Sequence, residues 1–106
     1  MSITVETGDG DRCRLIAAGN MTIYEAAADK QVLLDALDGA KELCVDLSAV
    51  GKIDTAGLQL LILLKREALR AGKVMRIVAH SRASLEMLDG YNVISYFGDP
   101  VVIPSR

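Results

Sequence analysis

The chain has only two cysteines, one histidine and no apolar run approaching the roughly 18 residues that span a bilayer. Cys13 and Cys44 form no CxxC pair and have strand-like apolar neighbours, so we interpret them as reduced thiols that act as small hydrophobes. The single histidine, His80, completes no Ser/His/Asp arrangement and no metal-ligand spacing. The sequence therefore predicts a protein that is not an enzyme and has no cofactor or metal.

An excess of charge of one sign is also missing. The net charge is −2, with 25% charged and 51% hydrophobic residues, which is the balance of an ordinary globular protein and argues against nucleic acid as a partner. Tyr24, Tyr91, Tyr96 and Phe97 accompany no basic patch and are interpreted as core or cover residues.

The N-terminus has acids where a signal peptide has basic residues, so we expect a cytoplasmic protein without direct membrane insertion. The length predicts a single domain, residues 1–106.

The N-terminal third of the chain predicts a hairpin followed by a helix. Residues 3–6 and 12–18 are strand-like and are joined by a turn rich in Gly and Asp. Thr22 and Glu25 have the T-x-x-E spacing of a capping box, and apolar residues then recur at helical spacing. These patterns predict an antiparallel hairpin and a helix over residues 23–38.

The remainder of the chain alternates strands with helices. Residues 42–47 form a short apolar run that predicts a central strand covered on both faces. Strands alternating with helices predict right-handed parallel crossovers and a layered α/β sheet. The other predicted elements are a helix over residues 56–71 closed by Gly72, a strand over 74–79, a helix that begins at Ser81 and stops at Gly90, and a short last strand or helix within 91–106.

The loop over residues 48–55 is the candidate functional segment, because loops at the carboxyl ends of strands in such sheets meet ligands and partners. It ends in Asp54 and Thr55, at the predicted start of a helix. Either residue could serve only as a helix cap. The same unpaired N–H groups would also stabilise a phosphate on Thr55, so the position permits both a cap and a switch. His80 is expected to lie near this loop if its strand is a neighbour.

The helix over residues 56–71 has one unusual feature, a leucine on its polar side. Leu63 projects among polar residues, with Leu60 at the boundary of the buried face. A single exposed leucine is common, but beside a modifiable hydroxyl it could anchor a protein-binding patch. The predicted buried face consists of Ala56, Leu58, Leu61, Ile62, Leu64, Ala68 and Leu69.

The string DLSAVGKIDTAGLQLLILLKREALRAGKVMRIV, residues 46–78, resembles the signature segment of STAS domains. The resemblance implies an α/β STAS fold, in which a mixed, largely parallel sheet of about four to five strands, with an antiparallel N-terminal hairpin, is packed by three to four helices. The positions that match the pattern are Asp46, Leu47, Ser48, Asp54, Thr55, Gly57 and Leu58.

The resemblance further implies a bacterial regulatory module similar to anti-sigma factor antagonists. In those proteins the hydroxyl after the acid is phosphorylated by a partner kinase that is also the anti-sigma factor, which makes Thr55 the candidate phosphorylation site. The phosphate would break the complex by placing charge in a desolvated contact. We expect a monomer or weak dimer whose partner is an anti-sigma factor or serine/threonine kinase, or a chemotaxis protein. The predicted partner-binding residues are Asp54, Thr55, Ala56, Gly57, Gln59, Leu60, Leu63 and Arg66.

A second group of STAS proteins provides the alternative. Antagonists typically carry an acidic G-E-L-D sequence before the first helix, where this chain has G-N-M-T at residues 19–22. The D-T-x-G-L sequence at Asp54 also resembles the small soluble STAS subunits of phospholipid-transporting ABC systems. In that case the loop and helix would contact a transporter ATPase, and Thr55 would cap its helix without being modified.

Overall fold

A computed structural model, which describes residues 2–8 and 10–97, shows a four-stranded sheet with three α-helices and a short 3-10 helix in those residues. The strand order is β1-β2-β3-β4, with β1 antiparallel to β2 and the other neighbours parallel. The predicted mixed sheet is confirmed. The elements are β1 Ser2–Thr7, β2 Arg12–Met21, α1 Ile23–Asp38, β3 Glu42–Ile53, α2 Thr55–Arg70, β4 Val74–His80, α3 Arg82–Gly90 and the 3-10 helix Ser95–Phe97.

The predicted N-terminal hairpin is confirmed, with longer strands than expected. Its turn places Gly10 and Asp11 at positive φ, 66° and 63°, a conformation that Gly and Asp tolerate better than other residues. The Gly8 N–H donates to the Arg12 carbonyl oxygen at 2.8 Å. The last predicted element, a short strand or helix in residues 91–106, corresponds to the 3-10 helix where the structure describes it; residues 98–106 lie outside the described part.

Within residues 2–8 and 10–97, helices cover the sheet on one face only, which corrects the prediction that β3 is covered on both. Along β3, Glu42 and Cys44 are half-buried and alternate with fully buried residues. On this second face the Glu42 carboxylate pairs with Arg12 at 3.1 Å and with Arg76 at 3.3 Å. The apolar run over residues 42–47 contains few polar residues, so it did not show that one face of β3 lacks a covering helix. The buried strand residues that join all three helices in one core include Leu15, Leu43, Val45, Leu47, Met75 and Ile77.

The two cysteines are free thiols, as predicted. Cys13 is buried on the helix-covered face, and burial raises the pKa of its thiol. Cys44 is half-buried. No helix within residues 2–8 and 10–97 combines the length and apolarity needed to cross a bilayer.

Helix ends follow local sequence signals in α2 and α3. Gly72 has φ 69° and its N–H donates to the Leu69 carbonyl oxygen, so it is the predicted residue that closes α2. Ser81 caps α3 as predicted. The predicted stop at Gly90 is confirmed, because α3 ends at that residue. The left-handed position that follows the helix, φ 56°, is taken by Asn92.

The bounds predicted for α1 are confirmed, but the predicted capping box is not. Thr22 occupies the N-cap position without a capping hydrogen bond from its side chain. The N–H groups of Glu25 and Ala26 donate instead to the main-chain carbonyl of Thr22, at 3.0 and 2.9 Å. The acceptor for the first N–H of α1, that of Ile23, comes from elsewhere in the fold.

Candidate functional site

The candidate site lies where two neighbouring strands end and two helices begin. β2 ends at Met21 and β3 at Ile53, and these residues are paired in register in the parallel sheet. Helix α1 therefore begins at Ile23 beside the point where α2 begins at Thr55. We call Ile23, Tyr24, Asp54 and Thr55 the helix-start surface.

Asp54 holds the two helix starts together. Its Oδ2 accepts from the Ile23 N–H at 2.9 Å, and its Oδ1 accepts from the Gly57 N–H at 3.0 Å. One carboxylate thus caps both α1 and α2. The hydrogen bonds from Ile23 and Gly57 lower the pKa of the Asp54 carboxyl, because they stabilise its ionised form. Asp54 is therefore an anion at neutral pH.

Thr55 is not the cap of its helix. It is the first residue of α2 and is exposed, and the capping acceptor is the side chain of the preceding Asp54. Within residues 2–8 and 10–97, the Thr55 hydroxyl has no hydrogen-bond partner. Since the hydroxyl is accessible and supports no local bond, modifying it would not first require breaking the helix cap.

Gly57 allows the start of α2 to lie close to the end of β2, beneath the helix-start surface. It is buried, and a Cβ at this position would collide with the Met21 carbonyl oxygen and lie 3.0 Å from Ile53 Cγ1. The same carbonyl accepts from the Asp54 N–H at 3.2 Å. The close approach of α2 to the end of β2 therefore requires glycine here.

The rest of α2 departs from the predicted pattern of burial. Leu63, predicted on the polar side, is half-buried, whereas Leu69, predicted on the buried face, is 59% exposed. Helix α1 packs alongside α2, and helical periodicity alone does not show such a contact. Of the predicted partner-binding residues, Thr55, Gln59 and Arg66 are exposed, Asp54, Ala56 and Leu63 are half-buried, and Gly57 and Leu60 are buried.

The sequence reasoning missed two exposed apolar residues beside Thr55. Ile23 is 66% exposed and Tyr24 is 93% exposed. The interpretation of Tyr24 as a core or cover residue is wrong, and among the other aromatics only Phe97 is buried. The sequence contained a signal for this exposure. Ile23 and Tyr24 directly follow the N-cap residue Thr22 and precede the positions of α1 that face the core. Adjacent exposed apolar side chains are typical of interaction surfaces.

The D-L-S segment has a structural role at a distance from this surface. Asp46 is buried, and its Oδ1 accepts from the N–H and hydroxyl of Ser48 at 2.8 and 2.6 Å, while Arg14 donates to its Oδ2 at 2.8 Å. Hydrogen bonds from Ser48, followed by those from Arg14, lower the pKa of the Asp46 carboxyl. The pairing registers of β3 shift around this point, and the strand then continues to Ile53. Most of the predicted loop over residues 48–55 is therefore strand.

His80 lies apart from Thr55, although β3 and β4 are neighbours as expected. It is paired with Leu47, six residues before the end of β3 at Ile53. The expectation that His80 approaches the Thr55 loop is wrong because β3 extends well beyond β4. The Nδ1 of His80 is 3.1 Å from the Ser84 hydroxyl at the start of α3, and burial lowers the pKa of the imidazole.

Comparison with known proteins identifies the fold family. A family model described as "Mlab, STAS domain" matches residues 5–94. The chain belongs to the STAS family. No curated protein sequence matched it. The predicted STAS membership is therefore confirmed by a match that covers most of the chain.

Solved structures show the same STAS fold. An anti-sigma factor antagonist from Mycobacterium paratuberculosis is 23% identical, with a TM-score of 0.81 over 95% of this chain and 86% of that one. The unphosphorylated anti-sigma factor antagonist SpoIIAA is 10% identical, with a TM-score of 0.76 over 95% and 90% of the two chains. The phosphorylated Bacillus SpoIIAA is 9% identical, with a TM-score of 0.69 over 91% and 87%. This STAS domain thus has an anti-sigma factor antagonist-like fold.

The described residues offer protein-contact features and no metal cluster. Within them, no group of three or more His, Cys, Asp or Glu side chains is placed to hold a metal ion. The helix-start surface instead combines two exposed apolar side chains, a capping carboxylate and an accessible hydroxyl. In physical terms this arrangement can bind a protein surface and can change its charge at Thr55.

Proposed function

We propose that this STAS domain is a non-enzymatic bacterial regulatory module that binds a partner protein through the helix-start surface and is released when Thr55 is phosphorylated. The observation that carries the proposal is the exposed Thr55 hydroxyl at the start of α2, free of the capping role that Asp54 performs. We further propose that the module acts in the cytoplasm as a monomer or weak dimer.

Apolar neighbours make the site sensitive to charge. A partner that covers Ile23 and Tyr24 would remove water from the region around Thr55, because all three residues belong to the same pair of helix starts. A phosphate of charge about −1.5 to −2 would then be desolvated in a contact that supplies few donors. Gln59 and Arg66, exposed further along α2, extend the proposed contact.

The structural neighbours support the choice of partner class. Structures of SpoIIAA exist in unphosphorylated and phosphorylated forms, so a protein of this fold can carry the modification and remain folded. By analogy, the proposed partner of this chain is an anti-sigma factor with serine/threonine kinase activity, or a chemotaxis signalling protein of similar role.

A second candidate is favoured by the apolar start of α1. Ile23 and Tyr24 lie exposed in the region where antagonists typically carry acidic residues. An exposed apolar surface of this kind suits a permanent contact, in which a partner protein keeps the surface covered. The chain would then be the soluble STAS subunit of a phospholipid-type ABC transporter, bound to the ATPase, with Thr55 in the contact and never modified.

The experiment is an affinity pull-down from a lysate of the organism that encodes the chain, with partners identified by mass spectrometry. The baits are the wild-type chain, Thr55→Glu, Thr55→Val and Tyr24→Ser. Glu supplies about half of the charge of a phosphate, whereas Val removes the hydroxyl at nearly constant volume and adds no charge. Tyr24 is almost fully exposed, so its substitution tests the surface without disturbing the core.

The proposal expects a kinase-like or signalling protein that is held by wild type and Thr55→Val and lost by Thr55→Glu and Tyr24→Ser. A transporter ATPase held equally by wild type and Thr55→Glu would favour the second candidate. Equal capture of the same proteins by wild type and Tyr24→Ser would refute the assigned surface.

A further inference from the structure

We infer that Asp54 is a positioning residue that ties the start of α1 to the start of α2 and so couples the charge on Thr55 to the placement of Ile23 and Tyr24. The inference rests on the proposed function for the role of Thr55. It adds a mechanism, because the modified residue and the apolar part of the surface belong to different helices.

The coupling starts from the two oxygens of one carboxylate. Oδ1 satisfies the Gly57 N–H of its own helix, and Oδ2 satisfies the Ile23 N–H, 31 residues away in the sequence. The first N–H groups of a helix have no partner within that helix. Asp54 Oδ2 is the acceptor that the structure provides for Ile23, so the direction in which α1 begins depends on this bond.

A main-chain hydrogen bond also joins the segment before α2 to the segment before α1. The Asp54 N–H donates to the Met21 carbonyl oxygen at 3.2 Å, and Gly57 packs under the same carbonyl. Asp54 is therefore joined to the chain on both sides of Thr22, through Met21 and Ile23. A displacement of its side chain changes the connection to α1 and leaves the sheet pairing intact.

A phosphate on Thr55 would act on this carboxylate directly. Thr55 follows Asp54 in the chain, so the two anions would repel each other at close range. The phosphate oxygens would also compete with Asp54 Oδ1 for the Gly57 N–H at the start of α2. With Oδ1 displaced, Oδ2 loses its fixed position, and the start of α1 with Ile23 and Tyr24 is released.

A cap at another helix shows what an uncoupled arrangement looks like. The Ser81 hydroxyl accepts from the Ser84 N–H at 3.0 Å, within α3. A serine has one side-chain oxygen and cannot place two separate acceptors as Asp54 does. The substitution Asp54→Ser therefore keeps a good cap for α2 and removes the bridge to α1.

The test follows the backbone amide resonances of Ile23 and Gly57 by NMR during an acid titration of the intact chain. In wild type both amides should shift together, with a midpoint below 3.8, the ordinary value for an aspartate, since their hydrogen bonds lower the pKa of Asp54. In Asp54→Asn and Asp54→Ser both responses should disappear, while Ser81→Ala keeps them. Two Asp54 variants are used so that one poorly folded protein does not decide the result.

The same resonances are then followed in the chain carrying phosphothreonine at position 55. The inference expects Gly57 to titrate with the phosphate and Ile23 to lose its response to Asp54. An Ile23 amide that keeps its acid titration after phosphorylation would overturn the coupling, as would an Ile23 amide that never responds to Asp54.

The outcomes separate the coupling from the proposed function. If phosphorylation releases the partner while Ile23 remains bonded to Asp54, the coupling is refuted and the proposed switch stands. If Ile23 responds as expected but no partner distinguishes wild type from Thr55→Glu, the coupling stands and the proposed function fails.

Discussion

Gly57→Ala is the substitution that tests most directly how the helix-start surface is built. The added methyl group would point at the Met21 carbonyl oxygen and at Ile53 Cγ1. A carbonyl in the peptide backbone cannot rotate away as a flexible side chain can. The start of α2 must therefore move away from the end of β2, which weakens the Asp54 N–H bond to the same carbonyl.

The expected loss of stability is the balance of two effects. Overpacking costs about 1–3 kcal/mol, and the upper end applies here because the obstacle is backbone. Replacing glycine by alanine inside a helix returns about 0.5–1 kcal/mol. The net destabilisation should be about 2 kcal/mol, which for a chain of this length lowers the melting temperature by about 8 °C.

The assay is thermal and urea unfolding followed by circular dichroism, with Gly90→Ala as the matched control. Gly90 is also helical, and a Cβ there meets nothing within 4 Å. The control should gain about 0.5–1 kcal/mol. The close approach of α2 to β2 would be refuted if Gly57→Ala were as stable as wild type. It would also be refuted if its free energy of unfolding rose as much as that of Gly90→Ala.

Two further predictions concern stability. Hydrogen bonds led by those from Ser48 hold the pKa of Asp46 below 3.8, so the stability this carboxylate contributes is complete above that pH and is lost as pH falls through the lower folded-state pKa. Urea unfolding between about pH 5 and pH 2 should show a smaller acid loss for Asp46→Asn, and an unchanged slope would contradict this. The Lys73 ammonium donates to the carbonyls of Leu37 and Asp38 at 2.7 and 2.8 Å. Lys73→Met should cost about 1 kcal/mol and lower the melting temperature by about 4 °C; an unchanged melting temperature would show that water serves these carbonyls equally well.

The order of the elements could be predicted because their periodicities and end signals are local. The bounds of α1 and the closure of α2 at Gly72 follow from such signals. The length of β3 could not be predicted, because its pattern of burial changes after Asp46. Ser48 and Ala49 are both exposed before Val50 is buried, so alternation with a period of two is lost where the register shifts.

The position of the candidate site could be predicted, but its composition could not. Asp54 and Thr55 stand at a recognisable helix start. The bond from the Ile23 N–H to the Asp54 carboxylate joins distant parts of the chain, so no local pattern could predict it. Likewise, α1 packs alongside α2, a contact that the periodicity of α2 alone does not contain.

The most direct test of the central claim is the affinity of the captured partner for two forms of the chain, unmodified and phosphorylated at Thr55. Isothermal titration calorimetry with purified partner gives both dissociation constants under the same conditions. The account predicts that phosphorylation weakens binding by at least about tenfold, within the usual range of regulatory couplings. Equal dissociation constants would show that the accessible hydroxyl of Thr55 is not a switch.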